Sequence, residues 1–160
     1  MSIVSLRSIK FLFKEIGLFR KAEFKWVEFI SPSTLHLAPF VRLILGPYGK
    51  KTDFVQIELG LHEALVNAVR HGNLSDPNKF LRVRRIVTPN WFVLQIQDQG
   101  KGIPLKARVS SLPKELDAES GRGLFLIHEC FDDVRWSMKG NRVQVACKKK
   151  HLNVSGNQDL

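Results

Sequence analysis

Apolar residues follow two rhythms along this chain, one close to 3.6 residues and one of two, and the switches between them mark out the elements. From Thr52-Asp53 to about His71, the residues Phe54, Ile57, Leu61, Ala64, Leu65 and Ala68 form one stripe, which predicts a long helix turned toward a core. Gly72-Asn73 ends it. Phe80 to Val87 and Trp91 to Asp98 are β-rich runs joined through Thr88-Pro89-Asn90, the pattern of an antiparallel hairpin. Val134 to Met138 and Arg142 to Lys148 predict a closing hairpin around Lys139-Gly140-Asn141. Phe24 to Ile30 reads as a first strand. Ser31-Pro32-Ser33 then supplies the turn and cap of a helix near Leu35 to Leu45, stopped by Gly46-Pro47-Tyr48-Gly49. Leu124, Ile127 and Phe131 imply one more short helix.

Strands with interspersed helices predict a two-layer α/β sandwich, a mixed and mostly antiparallel sheet with helices on one face. Residues 1–23 read as a separate basic amphipathic helix, with Leu6, Ile9, Phe13 and Ile16 on one side and Arg7, Lys10, Lys14 and Lys21 on another. Packing on the protein itself is the favoured use of that helix, ahead of a partner or an anionic membrane surface. Residues 24–150 form the domain, and 151–160 a flexible polar tail.

At 160 residues and 44% hydrophobic content, the chain suits one domain with one core. No apolar stretch reaches the roughly 18 residues of a membrane span. Cys130 and Cys147 have no metal-ligand spacing and make no disulfide framework, so a reducing, cytoplasmic setting is expected. The first segment, broken by Lys10 and Lys14, is not a signal-peptide core. A formal charge of +10 points to an anionic partner or a well-solvated surface. With no zinc-finger spacing and no aromatic motif of an RNA-binding sheet, direct nucleic-acid contact is not expected.

Three constellations can carry chemistry. Glu63, Asn67 and His71 are spaced four apart, stacking a carboxylate, a carboxamide and an imidazole on one helical face away from the apolar stripe. An oxygen of Asn67 suits Mg²⁺, and Glu63 one turn away suits proton abstraction from a hydroxyl or water. An ordinary solvated face has the same spacing, so the triplet alone decides nothing. Asp98 falls in alternation with Phe92, Leu94 and Ile96 and so points to the buried side, where a carboxylate needs donors. Gly100 and Gly102 follow it and bare the backbone for a sharp turn or a close ligand. A fixed carboxylate beside bare backbone suits an amino group on a flat base. Third, Gly121-Arg122-Gly123 precedes the Leu124 helix, whose free N–H groups and positive dipole end attract a phosphate. Arg122 itself suits phosphate contact and solvated surface equally. No Gly-Lys-Ser or Gly-Lys-Thr follows, which excludes a Walker A loop, and a preceding loop excludes a dinucleotide-binding βαβ unit.

These pieces, in this order, resemble the GHKL ATPases, the superfamily of gyrase B, heat-shock chaperone, histidine kinase and mismatch-repair ATPases. Glu63-Ala-Leu-Val-Asn67-Ala-Val-Arg-His71-Gly72 looks like their N box, Asp98-Gln-Gly100-Lys-Gly102-Ile103 like the first glycine box, and Gly121-Arg122-Gly123-Leu124 like the second. The likeness covers residues 24 to 150. Within the superfamily, the run Ser120-Gly-Arg-Gly-Leu-Phe-Leu-Ile127 followed by Phe131-Asp-Asp-Val134 is most similar to the bacterial anti-sigma-factor serine/threonine-protein kinases.

The resemblance implies the Bergerat ATP-binding fold, ATP and Mg²⁺ as ligands, and a homodimer. It implies two partners, a sigma factor and a small anti-anti-sigma antagonist phosphorylated on serine or threonine. It also implies Glu63 as general base, Asn67 as Mg²⁺ ligand and Asp98 as adenine ligand. His71, Gly100, Gly102, Gly121 and Gly123 are then near the phosphates, Ile103, Arg122 and Leu124 belong to the ATP site, and residues 104–120 are its lid. An ATP-dependent binding module that transfers no phosphate would use the same site. The sequence departs from the pattern twice. Asn141-Arg142-Val143 stands where many members place a threonine behind the adenine-binding Asp, so Asp98 needs water or another side chain. The basic helix 1–23 has no counterpart.

Overall fold

The computed structural model describes residues 25–46, 48, 54–108 and 122–149. In chain order these form β1 (Lys25–Pro32), α1 (Ala38–Leu45), α2 (Val55–Asn67) continued by a π-helical turn (Ala68–Gly72), β2 (Phe80–Val87) and β3 (Trp91–Gln97). A short 3-10 turn (Leu105–Arg108), α3 (Arg122–Cys130), β4 (Asp133–Trp136) and β5 (Arg142–Lys148) follow. The sheet runs β1-β2-β3-β5-β4 with every pairing antiparallel, so the expected mixture reduces to one sense among the described residues.

Strand alternation decides which face is covered. Val83, Ile96 and Val143 lie opposite one another across β2, β3 and β5, as do Phe92 and Cys147 and also Leu94 and Val145. All of them are buried in one core with Phe40, Ile44, Phe54, Ile57, Leu61, Leu65 and Ile127 from the helices. Each such side chain taken out of water contributes about 1.5–3 kcal/mol. The two principal helices meet through Gly60 of α2, where an added Cβ would lie 2.6 Å from the Cys130 Cβ at the end of α3. The opposite face carries Trp26, Ile86, Val93 and Ala146 in one row, with Arg84 donating to Glu28 at 2.6 Å in the next. This is the two-layer sandwich with helices on one face.

Local chemistry moved several boundaries. α1 begins at Ala38 rather than near Leu35, because Pro39 has no N–H to give a preceding turn and fits only the first turn of a helix, and Thr34 Oγ1 meanwhile takes the His36 N–H. β1 extends to Pro32, which an edge strand tolerates because no ladder N–H is needed there. β4 ends at Trp136 instead of Met138, since the Ser137 N–H already bonds Arg142 O and starts the turn. β3 ends at Gln97, leaving Asp98 at the strand exit. The predicted helix 1–23, the tail 151–160, most of the lid, Gly121, Pro47, Gly49 and Thr52-Asp53 lie outside the described residues. Among the described residues no helix is long and apolar enough to cross a membrane. Both cysteines are buried; loss of water pushes the Cys130 thiol up and the Cys147 thiol up to about 12, so neither is poised as a thiolate.

Candidate nucleotide site

The end of α2, the π-helical turn, the exits of β3 and β4 and the start of β5 enclose a cleft. About 400 Å³ of space, part of it open to solvent, lies within it. Ile96, Ile127 and Val143 form the floor, Asn67, His71 and Gly72 one wall and Trp136 another, with Asp98 and the Gly102-Ile103 turn at the rim.

The helix owes its shape here to the break from α to π. The Asn73 N–H bonds Ala68 O, five residues back, at 2.8 Å. The expected uninterrupted helix to His71 is therefore an α-helix only to Asn67, and π turns of this kind gather at functional sites. Asn73 itself is fully buried. Its Nδ2 donates to Phe80 O at 3.2 Å and its Oδ1 accepts the Gln99 N–H at 2.8 Å, tying the end of the helix to β2 and to the turn that follows β3.

Asp98 is held by two backbone amides and one side chain. The Gly100 N–H donates to its Oδ1 at 2.7 Å, its own N–H donates to Asn141 O at 3.0 Å, and Asn141 Nδ2 donates to its carbonyl at 3.2 Å. The glycine turn thus supports the carboxylate, and the Asn141 side chain supports the Asp98 carbonyl. Burial pushes the carboxyl above its ordinary 3.8, while the Gly100 amide and the charges of Lys139 and Lys79 pull the other way. Gly72 lies against this carboxylate, and a Cβ on Gly100 would in turn overlap Gly72 O. Gly102, at φ +90, packs on Lys139 O of the β4–β5 turn, and the Ile103 N–H bonds Gly140 O at 3.0 Å. Arg108 locks this junction, donating to Ile103 O, Ser137 O and Met138 O at 2.8, 2.9 and 3.0 Å.

The second glycine turn reaches the first wall. A Cβ on Gly123 would lie 3.1 Å from Asn67 Nδ2 and 3.2 Å from Glu63 Oε2, so the start of α3 rests on the Glu63–Asn67 face. Asn67 Nδ2 is buried without a partner. Arg122, the first residue of α3, is exposed, whereas Leu124 is half-buried against the core.

The structure therefore brings Asn67, His71, Asp98, Gly102 and Ile103 to one cleft, with Gly100 beneath Asp98 and Glu63 beside Gly123. Three residues that position or line the site were not singled out from sequence: Asn73, Arg108 and Trp136. Asn73 reads as a helix stop. Trp136 was accessible from its alternation with Val134, whereas nothing local marks Arg108.

Residues 41–147, more than half of the chain, match the histidine kinase-like ATPase domain. The anti-sigma F factor of Geobacillus kaustophilus (strain HTA426) is 28% identical over 103 residues, covering 62% of this chain and 70% of that protein. With the helix-on-sheet fold and the three glycine-bounded constellations in their expected order, this chain belongs to the histidine kinase-like ATPase domain family, whose members are built to bind ATP.

Proposed function

We propose that the protein is an anti-sigma-factor serine/threonine-protein kinase: it binds ATP with Mg²⁺, sequesters a sigma factor as a homodimer, and phosphorylates a serine or threonine of a small anti-anti-sigma antagonist. The observation that carries the reading is the approach of Gly123 to Glu63 and Asn67, which sets a helix start, suited to phosphate, against an acid and a carboxamide. Similarity to an anti-sigma F factor supports the regulatory half.

Each residue then has one task. Asp98 accepts from the amino group of the base, while Gly72 and Gly100 keep side chains out of its way and Gly102 lets the turn pack on Lys139 O. Asn67 supplies the protein's ligand to Mg²⁺. Its fit is chemical: the carboxamide, with its Nδ2 shielded and unpartnered, has no bond fixing which end faces the phosphates, and Gly123 leaves the approach bare. Bound there, Mg²⁺ would neutralise phosphate charge and orient the transferring group. Glu63 orients the acceptor hydroxyl and takes its proton. His71, Ile103, Arg122 and Leu124 complete the nucleotide contacts, with Gly121 in the same turn. The test is incubation of the protein with γ-labelled ATP and a small antagonist domain encoded beside it. Label on a serine or threonine of that domain supports the kinase; release of a bound sigma factor with no label supports a binding module instead.

A further inference from the structure

Trp136 ends β4 opposite Val143 of β5, on the face that packs against the helices. It shares the cleft with Asp98, Ile127 and Val143. Its Nε1 is shielded from solvent and has no hydrogen-bond partner in the protein. A shielded donor with no acceptor is costly, and indole N–H groups in protein interiors nearly always find one. The next residue, Ser137, is fixed by its N–H to Arg142 O and by Arg108 on its carbonyl, so the ring is set at the strand end rather than on a free loop.

We infer that Trp136 is a base-contacting residue of the nucleotide site, turning its indole edge to the base and giving its N–H to one of the base's acceptors. The inference rests on the ATP-site reading and adds to it. Asp98 contributes an acceptor and Trp136 a donor, so the cleft takes a heterocycle that presents an amino group together with a ring nitrogen, as adenine does. Inosine triphosphate offers Asp98 an oxygen in place of that amino group and binds more weakly. Replacing Trp136 by Phe keeps an aromatic ring, removes the donor and shortens the side chain's reach into the cleft.

The chain has three tryptophans, and the other two, Trp26 and Trp91, belong to the opposite sheet face, Trp91 beside Ile86, Val93 and Ala146. Trp26→Phe/Trp91→Phe therefore leaves Trp136 as the only indole emitter. The experiment titrates ATP into wild type, this double variant and Trp136→Phe, following heat and indole emission, with a thermal melt of each. The expected result is a saturable change in Trp136 emission at the calorimetric Kd, and affinity about tenfold weaker in folded Trp136→Phe. Calorimetric ATP binding with unchanged Trp136 emission would overturn the inference while leaving the ATP site intact, as would undiminished affinity in Trp136→Phe. Should Trp136→Phe fail to fold, the double variant decides. No heat of binding from wild type would overturn the ATP-site reading and this inference with it.

Discussion

Gly72 closes directly on the Asp98 carboxylate: a Cβ at position 72 would stand 2.6 Å from Asp98 Oδ2 and overlap the carboxyl carbon. A glycine at the end of a helix is usually a cap. Here its bareness also sets where the acid sits. Gly72→Ala should therefore behave unlike an ordinary helix substitution, which would gain about 1 kcal/mol from alanine's propensity. Overpacking against a short side chain wins, with an expected loss of about 1–3 kcal/mol in denaturant unfolding and of nucleotide affinity in the same variant.

Asp98→Asn separates stability from function. The carboxyl's folded pKa is raised above 3.8, chiefly by burial, so the folded state favours the protonated form. The stability that this contributes is present below pH 3.8 and is lost as pH rises through the folded value. At neutral pH the ionised group is a burden that the neutral amide lacks, while an amide oxygen still accepts the Gly100 N–H. Thermal melts should show the variant at least as stable as wild type at pH 7, with its relative advantage shrinking toward pH 3. A variant less stable at pH 7 than at pH 3, relative to wild type, would contradict the account.

Gly123→Ala probes the meeting of the second glycine turn with the Glu63–Asn67 face. The new Cβ at 3.1–3.2 Å from two side-chain tips asks them to yield by a few tenths of an ångström. Stability should change by less than about 1 kcal/mol in chemical denaturation, since only side-chain ends must move. Affinity for ATP·Mg²⁺ should fall about tenfold, as a displaced Asn67 loses its place.

Glu63→Gln keeps shape and removes the proton acceptor. ATP binding should be retained, and transfer to the antagonist should fall by about 10²–10⁴-fold, the usual worth of a positioned general base. The check is single-turnover phosphorylation with saturating nucleotide. Undiminished transfer would remove Glu63 from that role.

Much of this was legible in the sequence because the elements obey their periods. The β2 range is as its alternation predicts, and the Phe92, Leu94 and Ile96 series points into the core as expected. What alternation does not encode is backbone detail at element ends. The π turn at Ala68–Gly72 depends on an i+5 bond completed by Asn73, whose side chain is held by β2 and the Gln99 amide, contacts with no local signature. Without the threonine behind it, Asp98 takes the Gly100 amide on its carboxylate and the Asn141 side chain on its carbonyl, contacts that exist only once the strand ends meet. Arg108 is legible only once the β4–β5 turn has been brought beside Ile103 by the sheet order β3-β5-β4.

The measurement that bears most directly on the account is calorimetric titration with ATP and ADP, with and without Mg²⁺, on wild type and Asp98→Asn. Magnesium-dependent ATP binding in wild type, abolished in a variant that melts no lower at pH 7, is the predicted result. A folded wild type that takes up no nucleotide, or an Asp98→Asn protein that binds ATP as tightly as wild type, would contradict it.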